Sequence, residues 1–400
     1  DPEQAKIYVG RDNILQQVKD RIMGCSIPDA ADALRIVFFG DYGSGKTHSL
    51  FKATQMIKEK GMHGKSIHTN GDEIGLYVKI SDPIRVTFAD IYKDIVNDTI
   101  GKIEIEKWIA DFYIKMEDKF ELRNRDVTAT NKVEKITQFL KDKTGYQSEE
   151  LVKLIVERVK LETNTPKSNV IWKWIAGHTC TPAEKTELGV NEDNSNPNVA
   201  MKNLISIIEI FNIGHPDEIL LFMFDEMEKL KDVPKAKMGS YEESFRNLLE
   251  QEVEAGIMFA TTTKNYGSGE AIFKKEAIKS RIGSNTYELK TFGTAASGND
   301  PTSWFEQFLA ASRPDGDDWK QYVKAAQEAH EEDHNGGITE ELFPFTKNAV
   351  KQALTNITSP GSGGAMTVTP RTVLGSFAKA MAISLGRDSK RKIFDTTGFI

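Results

Sequence analysis

Cysteine is nearly absent: Cys25 and Cys180 are the only two in 400 residues. A pair so few and so isolated excludes a disulfide framework and points to a reducing compartment. No apolar run is long enough to cross a bilayer, so no membrane association is expected, and a soluble, cytoplasmic chain is. An excess of one charge is missing too. The 52 Lys and Arg stand against 59 Asp and Glu, a net charge of -7, which rules out a basic nucleic-acid coat. Only short basic groups remain, such as Lys274-Lys275 and Lys390-Arg391-Lys392, and most such clusters are solvated surface. There is no internal repeat and no long low-complexity tract, which argues against a solenoid. With 39% hydrophobic residues, the chain can bury a substantial core in two or three compact units.

What is present is an alternation of strand-like and helix-like segments. A turn at Tyr8-Val9-Gly10-Arg11 precedes an amphipathic stretch at 14–22, and an apolar run at 34–39 ends in glycine before helical periodicity resumes over 47–59. A strand at 75–80 and a helix at 88–95 continue the pattern, as expected of an α/β fold. From about 101 to 200 the texture changes to long, charge-laced helices that read as a helical insertion, with a polar surface loop at 191–198 before a helix at 199–211. Strands return at 219–224, 257–260 and 284–289. Helices follow at 304–311, 319–334, 347–355 and 371–385, with a Gly-rich break at 359–364. The expected organisation is an amino-terminal helix and turn over 1–30, an α/β core over 31–293 with a central parallel sheet, and a helical domain over 294–400.

Between the strand at 34–39 and the helix at 47–59 lies Gly40-Asp41-Tyr42-Gly43-Ser44-Gly45-Lys46-Thr47, a full match to G-x-x-x-x-G-K-[ST]. Glycines let the backbone wrap a phosphate chain, and the following helix N-terminus aims further amides at its negative charge. Lys46 is placed to reach the β- and γ-phosphates, Thr47 offers a hydroxyl to Mg²⁺, and His48 follows. Such a site needs an acidic partner on a neighbouring strand. Six apolar residues, 219–224, lead into Asp225-Glu226, putting two carboxylates at the carboxyl end of a buried strand. Asp225 suits the Mg²⁺ shell, and Glu226 suits polarisation of an attacking water. Glu228 reads as a solvated or capping residue.

With these motifs the chain resembles the AAA+ ATPases, particularly their origin-recognition-like branch. That resemblance implies an AAA+ core with a helical lid over 294–400, bound ATP and Mg²⁺, and a homo-oligomer. It places Val9, Gly10 and Arg11 beside the adenine. It makes Thr262, in Thr261-Thr262-Thr263 after the 257–260 strand, the polar holder of the lytic water, although a plain Thr-rich strand end fits the same residues. Arg281 takes the place of an arginine finger acting in a neighbouring subunit, although a cation at a helix C-terminus fits as well. Arg371, in Thr369-Pro370-Arg371 at a capped helix start, takes the place of the lid arginine that meets the phosphates, with a solvated arginine as the alternative.

A further block, Trp172-Lys173-Trp174-Ile175-Ala176-Gly177 with Glu184 and Leu188-Gly189-Val190, resembles P-loop ATPases of BREX-type phage defence. This implies protein partners in an antiviral system and double-stranded DNA nearby. Trp172 and Trp174 also suit core anchors. The alternatives are a STAND-type nucleotide switch and an ATP-bound scaffold with little turnover. His330-Glu331-Glu332-Asp333-His334 satisfies H-E-x-x-H, but its acidic middle and the following Asn335-Gly336-Gly337 read as a solvated helix end, and His178-Thr179-Cys180 lacks the second half of a zinc site.

Overall fold

In the computed structural model of the chain, the described residues are 8, 10–27, 33–70, 73–80, 87–120, 129–144, 148–161, 165–250, 254–267, 273, 275–291, 300–313, 318–329, 342, 345, 350, 353–354, 368–375 and 377. Val9, Lys274, the 330–334 stretch, the 359–364 break, the basic group at 390–392 and most of the helices expected at 347–355 and 371–385 lie outside them.

The elements run α1 (Asp12–Cys25), β1 (Arg35–Gly40), α2 (Lys46–Lys60), β2 (Ser66–Ile67), β3 (Thr69–Asn70), β4 (Glu73–Ile74), β5 (Leu76–Lys79) and α3 (Phe88–Asp94). A π-helix at Ile95–Ile100 leads to α4 (Lys102–Lys119), α5 (Ala129–Thr144), α6 (Glu149–Arg158), α7 (Pro166–Ile175), α8 (Pro182–Leu188) and α9 (Pro197–Gly214). Then come β6 (Glu218–Asp225), a 3₁₀-helix at Met227–Asp232, α10 (Lys235–Glu250), β7 (Ala255–Thr261), α11 (Thr263–Gly267), α12 (Glu276–Ile282), β8 (Thr286–Leu289), α13 (Pro301–Ala311) and α14 (Asp318–Ala329). The chain divides into two compact units, one of residues 1–16, 39–52 and 288–400, the other of residues 17–38 and 53–287.

The second unit is α/β. Its sheet has the order β2, β6, β7, β1, β8, with β5 pairing along β6 as well. β6 is parallel to β2, β5 and β7, in a register that sets Lys79 opposite Asp225 and Phe224 opposite Phe259. β6 and β7 read as continuous apolar runs because helices cover both faces, and β7 is buried throughout. Phe224 stacks on Phe259 at 5.5 Å, and Phe245 of α10 meets both rings edge-on. The connection from β5 to β6 passes through α3, the π-helix and α4–α9. Of these, α9 is apolar almost all round and buried from Ala200 to Asn212 save Lys202. It starts cleanly because Asn196 caps it and Pro197 occupies its first position.

The polar stretch at 191–198 is largely exposed, as expected of a surface loop, but two of its residues turn inward. Asp193 and Asn194 are 2% and 0% exposed. The Asn194 amide donates to the Trp174 carbonyl (2.7 Å) and accepts from Asn203 (2.7 Å), while Asp193 accepts from the Cys180 amide (3.3 Å) and pairs with Lys185 (2.9 Å). Polar side chains that satisfy one another and the backbone can be buried at little cost. Burial alone would raise the Asp193 carboxyl; hydrogen bonds from Ser195 and Lys185 outweigh it and bring its pKa down to about 2.

The first unit has its own apolar core, in which Trp304, Phe305 and Leu309 of α13 pack with Leu342, Val350, Leu354, Val368, Val373 and Phe377. Phe305 and Phe377 stack at 3.9 Å. Among the described residues no helix is long and apolar enough to cross a membrane.

Candidate functional site

The glycine loop belongs to the first unit. β1 delivers the chain to Gly40, where a Cβ would lie 2.6 Å from the Leu289 carbonyl oxygen and 2.5 Å from Ser44 Oγ. Gly43 and Gly45 adopt φ of 79° and 92°, the left-handed region that side chains disfavour. The Ser44 amide turns back to the Asp41 carbonyl at 3.1 Å, and α2 begins at Lys46. Lys46 Nζ donates to the carbonyls of Gly40 (3.1 Å) and Asp41 (3.2 Å) and lies 5.4 Å from the centre of the Tyr42 ring, which is 66% exposed. Thr47 is exposed at the helix start. The loop therefore joins glycine turns of positive φ, a helix N-terminus, a lysine and an exposed threonine, the parts that cradle a phosphate chain.

Two other segments of this unit, one with Tyr8, Gly10 and Arg11 and the other with residues 369–371, close on the loop and the start of α2. The Arg11 guanidinium donates to the carbonyls of Ser44 (2.7 Å) and Lys290 (3.3 Å), and its burial lowers its pKa. Tyr8 stacks on His48 with centroids 5.5 Å apart and shares a 2.9 Å hydrogen bond with Ser49. Burial raises the Tyr8 phenol. Gly10, at φ 71°, is pressed against Trp304, whose Cδ1 would be 2.5 Å from any added Cβ. From the carboxyl-terminal side, the Arg371 amide reaches the Gly43 carbonyl at 3.4 Å, while the Arg371 side chain is exposed. Thr369 caps this helix start by accepting from the Thr372 amide at 3.2 Å.

The acidic pair belongs to the second unit. The sequence expectation of adjacent strands is corrected here, because β7 lies between β6 and β1. Asp225 is buried at the end of β6. Its Oδ2 accepts from the Tyr77 hydroxyl (2.8 Å) and its Oδ1 from the Glu226 amide (2.7 Å). Glu226 is one of two non-glycine residues with positive φ among the described residues, at 58°. Such strain concentrates at functional positions. Its carboxylate pairs with Lys79 at 3.1 Å and also with Lys229. Burial would raise this carboxyl, but hydrogen bonds from Lys229 and Lys79 outweigh it and hold the pKa below the ordinary glutamate value. Glu228 is buried, 4% exposed, not solvated: the 3₁₀-helix that carries it packs against β7 and α11.

Thr262 is buried directly after β7, and its carbonyl accepts from the Tyr266 amide at 2.8 Å, opening α11. Arg281 lies in the last turn of α12, where it donates to the Ala277 carbonyl and pairs with Glu250. Sequence reasoning missed Tyr77, Lys79, Lys229 and Glu250. The polar positions 77 and 79 alternate within an otherwise apolar strand, which is a visible signal, but their partners depend on the β5–β6 register. Among the described residues, no three of His, Cys, Asp and Glu are grouped to hold a metal ion. Trp174 is a fully buried anchor whose indole donates to the Glu192 carbonyl at 2.9 Å.

A family model described as BREX system ATP-binding protein BrxC/D matches residues 3–388. No curated protein matches the chain.

Proposed function

The chain belongs to the BREX system ATP-binding protein BrxC/D family, and on that premise we propose that it is a Mg²⁺-dependent ATPase of the AAA+ class, similar to the origin-recognition-like branch. It works within a multi-protein antiviral system, with its ATP state controlling homo-oligomer assembly on or near double-stranded DNA. The observation that carries this reading is the convergence of Arg11 and the Thr369–Arg371 helix start on one glycine loop, with Tyr8 packed on the first turn of the helix that follows it. A bare phosphate loop needs none of these. An adenine-side turn and a helical lid explain all three.

In this reading the amides of Gly43, Ser44 and Gly45 and the amino group of Lys46 hold the phosphates, with Gly40, Asp41 and Tyr42 shaping the loop. Gly10, Arg11 and His48 flank the base. The Thr47 hydroxyl and the Asp225 carboxylate are hard oxygen donors of the kind Mg²⁺ takes, alongside phosphate oxygens and water. Bound Mg²⁺ supplies charge neutralisation on the β- and γ-oxygens. Glu226 accepts a proton from the attacking water, Thr262 orients that water, Arg371 reaches the phosphates from the lid, and Arg281 acts in a neighbouring subunit.

One observation favours a second reading. The pairing of Glu226 with two lysines suits a STAND-like switch or scaffold that holds nucleotide with little turnover. Steady-state ATP hydrolysis separates the two, measured with and without Mg²⁺ and with and without double-stranded DNA. The ATPase reading expects Mg²⁺-dependent turnover that Lys46→Ala abolishes together with ATP binding, and that Glu226→Gln abolishes with binding retained. Tight binding without turnover selects the switch. Equal ATP binding by Lys46→Ala and wild type overturns both.

A further inference from the structure

We propose that Tyr77 is a positioning residue that holds the Asp225 carboxylate in its metal-organising orientation, a role resting on the ATPase reading above. The two oxygens of Asp225 are fixed separately. Oδ1 accepts from the Glu226 amide at 2.7 Å, a bond set by the backbone turn after β6. Oδ2 accepts from the Tyr77 hydroxyl at 2.8 Å. Together the two bonds remove the rotation that one bond alone would permit.

Tyr77 is itself well anchored. β5 pairs with β6 in parallel, setting Tyr77 opposite Met223, and the Tyr77 carbonyl accepts from Thr99 Oγ1 of the π-helix at 3.4 Å. The phenol is therefore presented from two sides by fixed backbone. Partners that orient metal-organising groups typically govern metal affinity or activity by tenfold or more. A tyrosine here does so without touching the nucleotide.

The test is Tyr77→Phe in the full chain, which keeps the ring and its packing and removes only the hydroxyl. The measurements are ATP binding in excess EDTA and the Mg²⁺ concentration that gives half-maximal hydrolysis. The expected result is unchanged metal-free ATP binding with roughly a tenfold rise in the Mg²⁺ requirement. Mn²⁺ titration followed by its electron paramagnetic resonance signal should show the same weakening, which a general loss of packing would not confine to the metal. An unaltered or lowered Mg²⁺ requirement in an active Tyr77→Phe protein overturns the proposal. Absence of Mg²⁺-dependent hydrolysis in the wild type as well overturns the ATPase reading instead; Mn²⁺ affinity for the ATP-bound chain then still decides the role of Tyr77.

Discussion

Lys79 and Lys229 bracket a carboxylate that the proposed chemistry requires to be ionised. Glu226 is partly withdrawn from water, which favours its neutral form, and the two ammonium groups reverse that preference. A carboxyl held below its ordinary value stays charged through the neutral range and takes up a proton only under more acidic conditions. The double variant Lys79→Met and Lys229→Met leaves the burial and removes the compensation. We expect the acidic limb of its kcat–pH profile to move to higher pH, while Lys79→Arg leaves the limb in place. A limb that does not move would show that another group titrates in that range.

At the level of elements, the segment between α8 and α9 carries the clearest stability prediction. Asp193 is buried and its pKa is brought down to about 2 against an ordinary 3.8, so its interactions favour the folded state by about 2 kcal/mol at neutral pH. Because the folded value is the lower one, this contribution is complete above the unfolded pKa and fades as pH falls from about 4 towards 2. Asp193→Asn should lower Tm at pH 7 and flatten the acid-side decline in a calorimetric series. The same segment shows where sequence reading stops. Strands β1, β6 and β7 were legible because apolar runs of four to six residues cannot be solvated, and α2 and α9 as helices at 47–59 and 199–211, although the first turn of α9, at Pro197, was read as loop. The burial of 193–194 was not legible, since a run of polar residues looks the same whether it bonds to water or to Trp174, Cys180 and Asn203. Nor was the π-helix, whose residues Ile95, Val96 and Ile100 read as ordinary apolar positions. In the site, the glycine loop was fully visible as a pattern, whereas Tyr77 and Lys79 acquire meaning only through a register that links residues 76–79 to 222–225.

Over the whole molecule, the proposed oligomer turns on Arg281. Within the single chain this arginine is committed to Glu250 and to its own helix end, so a role in a neighbouring subunit requires exchanging that partner for phosphate. Assembly then becomes visible in kinetics: turnover per chain should rise with protein concentration, and Arg281→Ala should remove the rise while leaving ATP binding intact. Turnover per chain that is constant across a hundredfold dilution, and equal in the variant, would assign Arg281 to helix-end stabilisation alone. The two cysteines bear on how such assembly can be followed. Cys25 and Cys180 are 1% and 4% exposed, and burial raises the Cys180 thiol further. Toward maleimide reagents the folded chain is close to blank, so one cysteine introduced at an exposed position such as Tyr322 gives a dye a single address without any prior removal of native thiols.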